Sequence, residues 1–269
     1  MLKRGGPPCA AYTGFVAIIA PTVVRLSRGY VRVAGPDAAD FLERMLSNEV
    51  QGLDAGSVQQ ALLLTPKGRM IAPLRAVRES EDAFLLITEA ELAEAVSTTL
   101  LRARFAAKCE ISVAPLRGYL HLADPGRGVR VEDYGVEAWE TWEEGKLDAG
   151  EASELEPLRI EAGTPVWGKE LDESVLPAEA GLDETHISFT KGCYPGQEPI
   201  ARLHYRGHPN RRLRRLEVAS AKAGDEITHE GKTVGRVTSA VPGTALGYVR
   251  REVPEDAALK IGGAEARLH

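Results

Sequence analysis

The 269-residue chain reads as an α+β protein that ends in a small antiparallel β-barrel. Three observations predict this. Over the first half, segments with apolar residues at alternate positions mingle with segments at helical spacing. From Leu213 onward the helical period vanishes, leaving short strands punctuated by glycine turns. The length is enough for two or three units with real cores, and the 43% hydrophobic and 27% charged content is that of an ordinary globular chain.

In chain order, residues 1–20 read as an irregular leader. Lys3, Arg4 and the apolar residues 15–20 faintly resemble a signal peptide, but Gly5-Gly6-Pro7-Pro8 interrupts the pattern and the apolar run is short. Residues 23–33 predict two short strands around a turn at Arg28-Gly29. Gly35-Pro36-Asp37 then opens a helix whose apolar face carries Phe41, Leu42, Met45 and Leu46. Residues 60–64 and 70–77 form strands joined by the hairpin turn Pro66-Lys67-Gly68-Arg69. A strand over 83–88 precedes a helix over 89–105, with Leu92, Val96, Leu100 and Leu101 inward. A second unit opens near residues 111–122. Between Glu132 and Glu161, eleven acids accompany only two basic residues; the run reads as a solvated face and loop, without assigned chemistry. Turns at Ala223-Gly224, Glu230-Gly231 and Pro242-Gly243 set out the barrel strands. The expected domains are 21–110, 111–210 and 211–269.

Composition excludes several function classes. A formal net charge of −6 argues against wholesale nucleic-acid binding. Cys9, Cys109 and Cys193 are odd in number and far apart, with no C-x-x-C. They define no disulfide framework and no resident metal site, and they point to a reducing, cytoplasmic setting. No apolar run reaches the ~18 residues of a membrane helix, so no membrane association is expected. Gly231-Lys232-Thr233 ends like a phosphate-binding loop, but the required first glycine is replaced by Glu226 and the context is a hairpin. His204 and His208 lie four apart without a helical pattern around them, so a zinc pair is not expected.

The densest chemistry lies in Lys191-Gly-Cys-Tyr-Pro-Gly-Gln-Glu198, followed by Pro-Ile-Ala-Arg202. A thiol reacts as its thiolate, which neighbouring cations favour, so Lys191 two residues from Cys193 is a candidate activator. Gly192 and Gly196 permit positive φ or a close backbone approach, and Pro195 stiffens the segment between them. A buried structural cysteine beside a glycine turn is the plainer alternative.

The stretch K-G-C-Y-x-G-Q-E-x-x-A-R resembles the signature of the YgfZ-type proteins, folate-binding proteins of iron–sulfur cluster assembly and repair. These are related to the T-protein (aminomethyltransferase) of the glycine cleavage system. Arg159-Ile-Glu-Ala-Gly163, Gly168-Lys-Glu-Leu-Asp-Glu173 and Pro177 resemble a run shared by both groups. Gly35-Pro-Asp-Ala-Ala-Asp-Phe-Leu42, Thr65-Pro-Lys-Gly-Arg69 and Val234-Gly-Arg-Val-Thr-Ser239 extend the likeness over most of the chain. It implies a three-domain, ring-like α+β fold with folate in the central hole. In T-proteins the glutamate matched by Glu161 accepts N–H groups of the pterin, a task suited to a carboxylate. The resemblance makes tetrahydrofolate the cofactor and Cys193, with Lys191, the working residues. Lys191, Gln197, Glu198 and Arg202 join Glu161 as folate-binding candidates. Iron–sulfur client enzymes or scaffold proteins are the implied partners, with a link to tRNA modification but no stable nucleic-acid complex.

Two departures bear on activity. T-proteins place an aspartate pair after the equivalent hairpin, where this chain has Ala72 and Pro73, neither of which can act as acid, base or charged anchor. An aminomethyl or other C1 transferase is therefore the runner-up expectation. Many relatives also carry L-Q-G-Q in the first helix, where this chain has Leu42-Glu43-Arg44-Met45. The run from Arg202 to Arg215 holds six arginines and two histidines with no acid; a folate-tail site, plain surface and an RNA patch all remain open for it.

Overall fold

The computed structural model describes residues 23–269, so the expected leader at 1–20 lies outside the described residues. Three sheets organise the chain. The first is five-stranded and antiparallel in the order β3-β4-β5-β2-β6, built from β2 (Arg28–Ala34), β3 (Val58–Leu64), β4 (Met70–Ser80), β5 (Ala83–Glu89) and β6 (Glu110–Val113). The second runs β1-β7-β9-β8, from β1 (Val23–Leu26), β7 (Arg117–His121), β8 (Val129–Val131) and β9 (Ala138–Glu143). The third is a closed barrel of β10 (Arg211–Val218), β13 (Gly243–Arg250), β12 (Lys232–Val241), β11 (Glu226–His229), β14 (Leu259–Ile261) and β15 (Ala264–Leu268). Its core of Leu216, Ile227, Val237, Ala245, Leu259 and Ile261 comes from alternate strand positions, as pleating requires.

On one face of the first sheet, Val31, Val33, Ala61, Leu63, Ala72, Leu74, Phe84 and Leu86 pack against α1 (Ala38–Met45) and α2 (Ala93–Ala103). α1 inserts Phe41 and Leu42 there, with Leu46 just beyond its end, as the periodicity predicts. α2 buries Ala93, Val96, Ser97 and Leu100, whereas Leu101 is 45% exposed; one residue past Leu100 it has rotated about 100° off the apolar stripe. The opposite face carries Val77, Leu85 and Ile87 onto the second sheet, where Val24, Leu26, Leu120 and Val131 complete a second core.

The expected strand pair at 23–33 is not a hairpin. β1 pairs with β7 and β2 with β5 and β6, so the chain passes from one sheet to the other at Ser27. Gly29 serves helix packing instead of a turn: a Cβ there would stand 2.7 Å from the Cβ of Ala93. Residues 110–113 likewise remain in the first sheet through β6. No helix among the described residues is long and apolar enough to cross a membrane.

Candidate functional site

A cavity of about 330 Å³ opens where the second-core face of the first sheet meets the irregular segment 163–186. Its floor follows from strand register. Gln60 on β3 lies opposite Arg75 on β4, Leu62 opposite Pro73, and Arg75 opposite Ile87 on β5. Alternation turns Gln60, Pro73, Arg75 and Ile87 to the cavity and Ala61 and Ala72 to the helices. Tyr134, Thr164, Leu171, Leu182, Thr185 and His186 supply much of the remaining wall. Beyond Arg28, Glu89, Tyr134, Arg159 and Val166, which line both spaces, the cavity adjoins a second depression of about 310 Å³ that reaches Trp167 and Lys169.

The cavity wall carries a buried ion network. Arg75 donates to Glu140 at 3.0 Å and to Asp133; Arg28 donates to Glu89 at 2.8 Å and lies 3.3 Å from Glu140. Burial pushes the Asp133 carboxyl up, but Arg75 and Arg28 outweigh it and hold the group below the usual carboxylate range. Asp133 and Glu140 come from the acidic run read from sequence as a solvated face. That expectation fails here because Glu140 is fully buried against the two arginines. Arg159 bridges Glu156, Glu170, the Thr164 carbonyl and Ser239 of the barrel. Burial, followed by the charge of Arg75, lowers the His186 imidazole to about 4, so it is neutral near pH 7.

Ser47 and Asn48 seam the segment carrying His186 onto β3. Ser47 Oγ donates to the His186 carbonyl at 2.7 Å and accepts from the Leu62 N–H at 2.7 Å. Asn48 Nδ2 donates to the Gln60 carbonyl at 2.9 Å and to the Thr185 carbonyl at 3.1 Å.

None of the six site residues expected from sequence lines this cavity. Lys191 is buried and fully engaged: Nζ donates to the carbonyls of Glu43, Leu46 and Asn48 at 2.7, 2.9 and 2.8 Å and pairs with Glu43 at 3.1 Å. It caps the C-terminal end of α1 and holds the 46–48 seam, so its ammonium is directed to these carbonyls and Glu43. Glu43, at the departure from L-Q-G-Q, completes this junction by accepting the N–H groups of Val50 and Gln51.

Cys193 is an exposed free thiol; Cys109 is buried, and burial pushes its pKa up. Gly196 takes φ +84° just before α4 (Gln197–Arg206), and a Cβ there would lie 2.5 Å from the Thr65 carbonyl oxygen. The signature loop is thus seated on the β3–β4 turn. Gly192 has no positive φ and open space around it, so the conformational role expected for both glycines belongs to Gly196 alone. Gln197 is half-buried, Glu198 and Arg202 are exposed, and their side chains make no hydrogen bond to a described residue.

Glu161 lies on α3 (Glu156–Ala162) beside the barrel, where its carboxylate accepts from Thr244 and stands 3.9 Å from Arg215. Arg159, two positions earlier and so about 200° around the helix, takes the cavity side. Glu161, the residue expected to contact the pterin, thus lies at the barrel side of this helix and not in the lining of the cavity. In the arginine run, Arg211 pairs with Glu179, Arg214 with Glu255, and Arg215 contacts Glu161 and His269; Arg202, Arg206 and Arg212 are exposed. No residue of the run lines the cavity. His204 stacks on Phe189 at 3.8 Å, and no metal-ligand cluster occurs among the described residues. Sequence reasoning passed over Gln60, Asp133 and His186. Only the alternation of β3 held a signal, since it marks Gln60 as the polar member of a face shared with Leu62 and Leu64.

Residues 26–117 match the GCVT N-terminal domain, and residues 210–269 match the CAF17 C-terminal beta-barrel domain. The glycine cleavage system aminomethyltransferase T from Bartonella henselae superimposes with a TM-score of 0.80 at 20% identity, over 92% of this chain and 84% of its own. The fold is therefore of the aminomethyltransferase type. A chloroplastic protein of Arabidopsis thaliana, named as a candidate transferase, is 28% identical over 86% of this chain; the match spans 65% of that protein's length. An uncharacterized Haemophilus influenzae protein is 28% identical over 78% of this chain and 81% of its own. The Bacillus subtilis aminomethyltransferase is 24% identical over 81% of this chain and 75% of its own. The chain belongs to the YgfZ/GcvT family.

Proposed function

We propose that this chain is a tetrahydrofolate-binding factor for the assembly or repair of iron–sulfur clusters, [4Fe–4S] clusters above all, in client enzymes of the cytoplasm. The carrying observation is the pairing of a small-molecule cavity without a carboxylate at the aspartate position and an exposed thiol on a seated loop. Pro73 contributes the cavity wall and Ala72 points into the helix-side core, so neither position offers a titratable group.

The cavity suits a folate head group. Its volume falls at the lower end of the ~300–1,000 Å³ typical of small-molecule sites. Gln60 presents a primary amide with no hydrogen bond to a described residue, and it shares the cavity lining with the neutral imidazole of His186. Gln60 and His186 would hold the heterocycle, Asp133 staying engaged by Arg75, and the bound folate would supply a carrier for one-carbon units. Lys191, placed among the ligand residues by sequence, would act through the seam at Asn48.

Cys193 would meet the cargo outside the cavity. Iron ligation, sulfur exchange and mixed-disulfide formation all require the access that this exposed side chain has. A tetrahydrofolate-dependent aminomethyl transferase is the second reading. It is favoured by the similarity to proteins named aminomethyltransferase and opposed by Pro73, and turnover of an aminomethyl donor by the purified chain would revive it.

The deciding experiment measures a [4Fe–4S] enzyme's activity in cells lacking their own factor, supplied with this chain or with Cys193→Ala. Rescue by the unaltered chain alone is expected. Equal rescue by both would demote the thiol, and rescue by neither would remove the iron–sulfur assignment.

A further inference from the structure

We infer that Gln60 and His186 form the recognition end of the cavity and read the lactam edge of a neutral, planar heterocycle, so that the ligand enters head-first toward β3. This rests on the folate reading and adds to it an orientation and a specificity residue.

The polar groups of the cavity differ in what they have left to offer. Arg28, Arg75 and Arg159 are each bound to carboxylates, Glu89 is held by Arg28, and the Thr88 hydroxyl donates to the Pro73 carbonyl at 2.8 Å. Apart from Arg28 Nε, which makes no hydrogen bond and lies 3.3 Å from Glu140, recruiting these groups to a ligand would break a buried charge pair or hydrogen bond. Gln60 is different. Its backbone carbonyl accepts from Asn48 and Gln59, while its side-chain amide has no hydrogen bond to a described residue. In His186 the Thr185 hydroxyl engages Nδ1 at 2.7 Å, leaving Nε2 without such a bond.

Both residues line the cavity, and their backbones are held together. Asn48 ties the carbonyls of Gln60 and Thr185 to one amide, and Ser47 ties the Leu62 N–H and the His186 carbonyl to one hydroxyl. The Ser188 N–H donates to the Ser47 carbonyl at 2.9 Å, closing the seam. Arg75 and Asp133 are the charged groups facing the imidazole. With Arg75 directly across the strand pair from Gln60, a neutral heterocycle can sit here without an uncompensated charge.

A primary amide offers a donor and an acceptor side by side, the complement of the N–H and C=O of a lactam. A 2-amino-4-oxopteridine has that edge. The remainder of such a ligand would extend toward Arg28, Tyr134 and Arg159, where the cavity adjoins the second depression. A wall that leaves a buried lactam unpaired loses affinity by tenfold to roughly a hundredfold, the range set by one unmatched hydrogen-bonding group.

The test titrates the full chain with 5-formyltetrahydrofolate and, separately, with pterin, which has the head group but no tail. Gln60→Leu removes the amide and places an apolar side chain at a half-buried strand position, and Gln60→Met keeps the volume and the flexible stem if leucine disturbs the strand. Melting curves of both variants establish that the fold is retained. Dissociation constants for both ligands should rise at least tenfold, and by similar factors. Unchanged affinity for 5-formyltetrahydrofolate would overturn the assignment while leaving folate binding in place. Weakened binding of the whole folate with unchanged pterin binding would also overturn it, because the head would then lie elsewhere. Failure of the unaltered chain to bind either ligand would overturn both this inference and the folate reading.

Discussion

Lys191 and Cys193 stand two residues apart and have opposite fates, one buried and the other exposed. An ammonium has three donors, and those of Lys191 meet three carbonyls near the end of α1. Burial lowers its pKa and Glu43 partly opposes the shift, as expected of a cation kept in place by partners. Lys191→Met should therefore cost about 3 kcal/mol in urea unfolding, since it leaves Glu43 and several carbonyls unmatched. Cys193→Ala, at an exposed site, should stay within about 0.5 kcal/mol. Equal losses in the two variants would contradict this division of roles. The sequence named both residues but could not divide the roles between them, because spacing along a loop does not say which side chain turns inward. His186 adds a pH dependence. Its folded-state pKa of about 4 lies below the ordinary 6.5, so the folded state binds fewer protons than the unfolded chain between these values. Its contribution is complete above about pH 6.5 and is lost as pH falls toward 4. The resulting loss is about 2 kcal/mol at pH 5. His186→Gln should flatten that part of the stability profile; an unchanged slope would reject His186 as its source.

At the scale of elements, the signature segment is a turn seated on a hairpin and continued by a helix. Gly196 provides the αL entry into α4 beneath the Thr65 carbonyl, while Gly68 in the hairpin turn lies 3.0 Å from Pro199 Cγ, measured from its would-be Cβ. Gly196→Ala combines a strained positive φ with a backbone clash and should cost about 2 kcal/mol or more. Gly192→Ala meets no atom within 4 Å and should be nearly neutral. Similar melting temperatures for the two variants would deny the seating of the loop. The hairpin at 60–77 and the helix at 38–45 were legible in sequence because each is written in local periodicity and turn chemistry. The separation of β1 from β2 was not, because strand partners are chosen by tertiary contacts that a period-two pattern does not encode. The motif around Glu161 was legible too, but not the helix that turns its side chain to the barrel and Arg159 to the cavity.

Across the whole molecule, charge joins what the sheets leave separate. Arg28 and Arg75 come from the first sheet, Glu140 from the second and Asp133 from the β8–β9 connection. This cross-sheet network was illegible because its members are scattered over more than a hundred residues, and its acids sit in a run whose composition resembles solvated surface. Both arginines are largely buried and Glu140 fully so, and their desolvation is offset only while all partners remain. Arg75→Met should consequently cost about 3–5 kcal/mol, the usual result of leaving buried carboxylates unmatched. Arg127→Met, which breaks the largely exposed pair with Glu143, should cost at most about 1 kcal/mol. If charge compensation is the cause, adding Asp133→Asn to Arg75→Met should restore part of the loss, although Asp133→Asn alone is destabilising. A double-mutant cycle by urea denaturation reads that coupling directly. Strictly additive losses would mean that Arg75 stabilises the junction of the sheets by packing alone, without compensating Asp133.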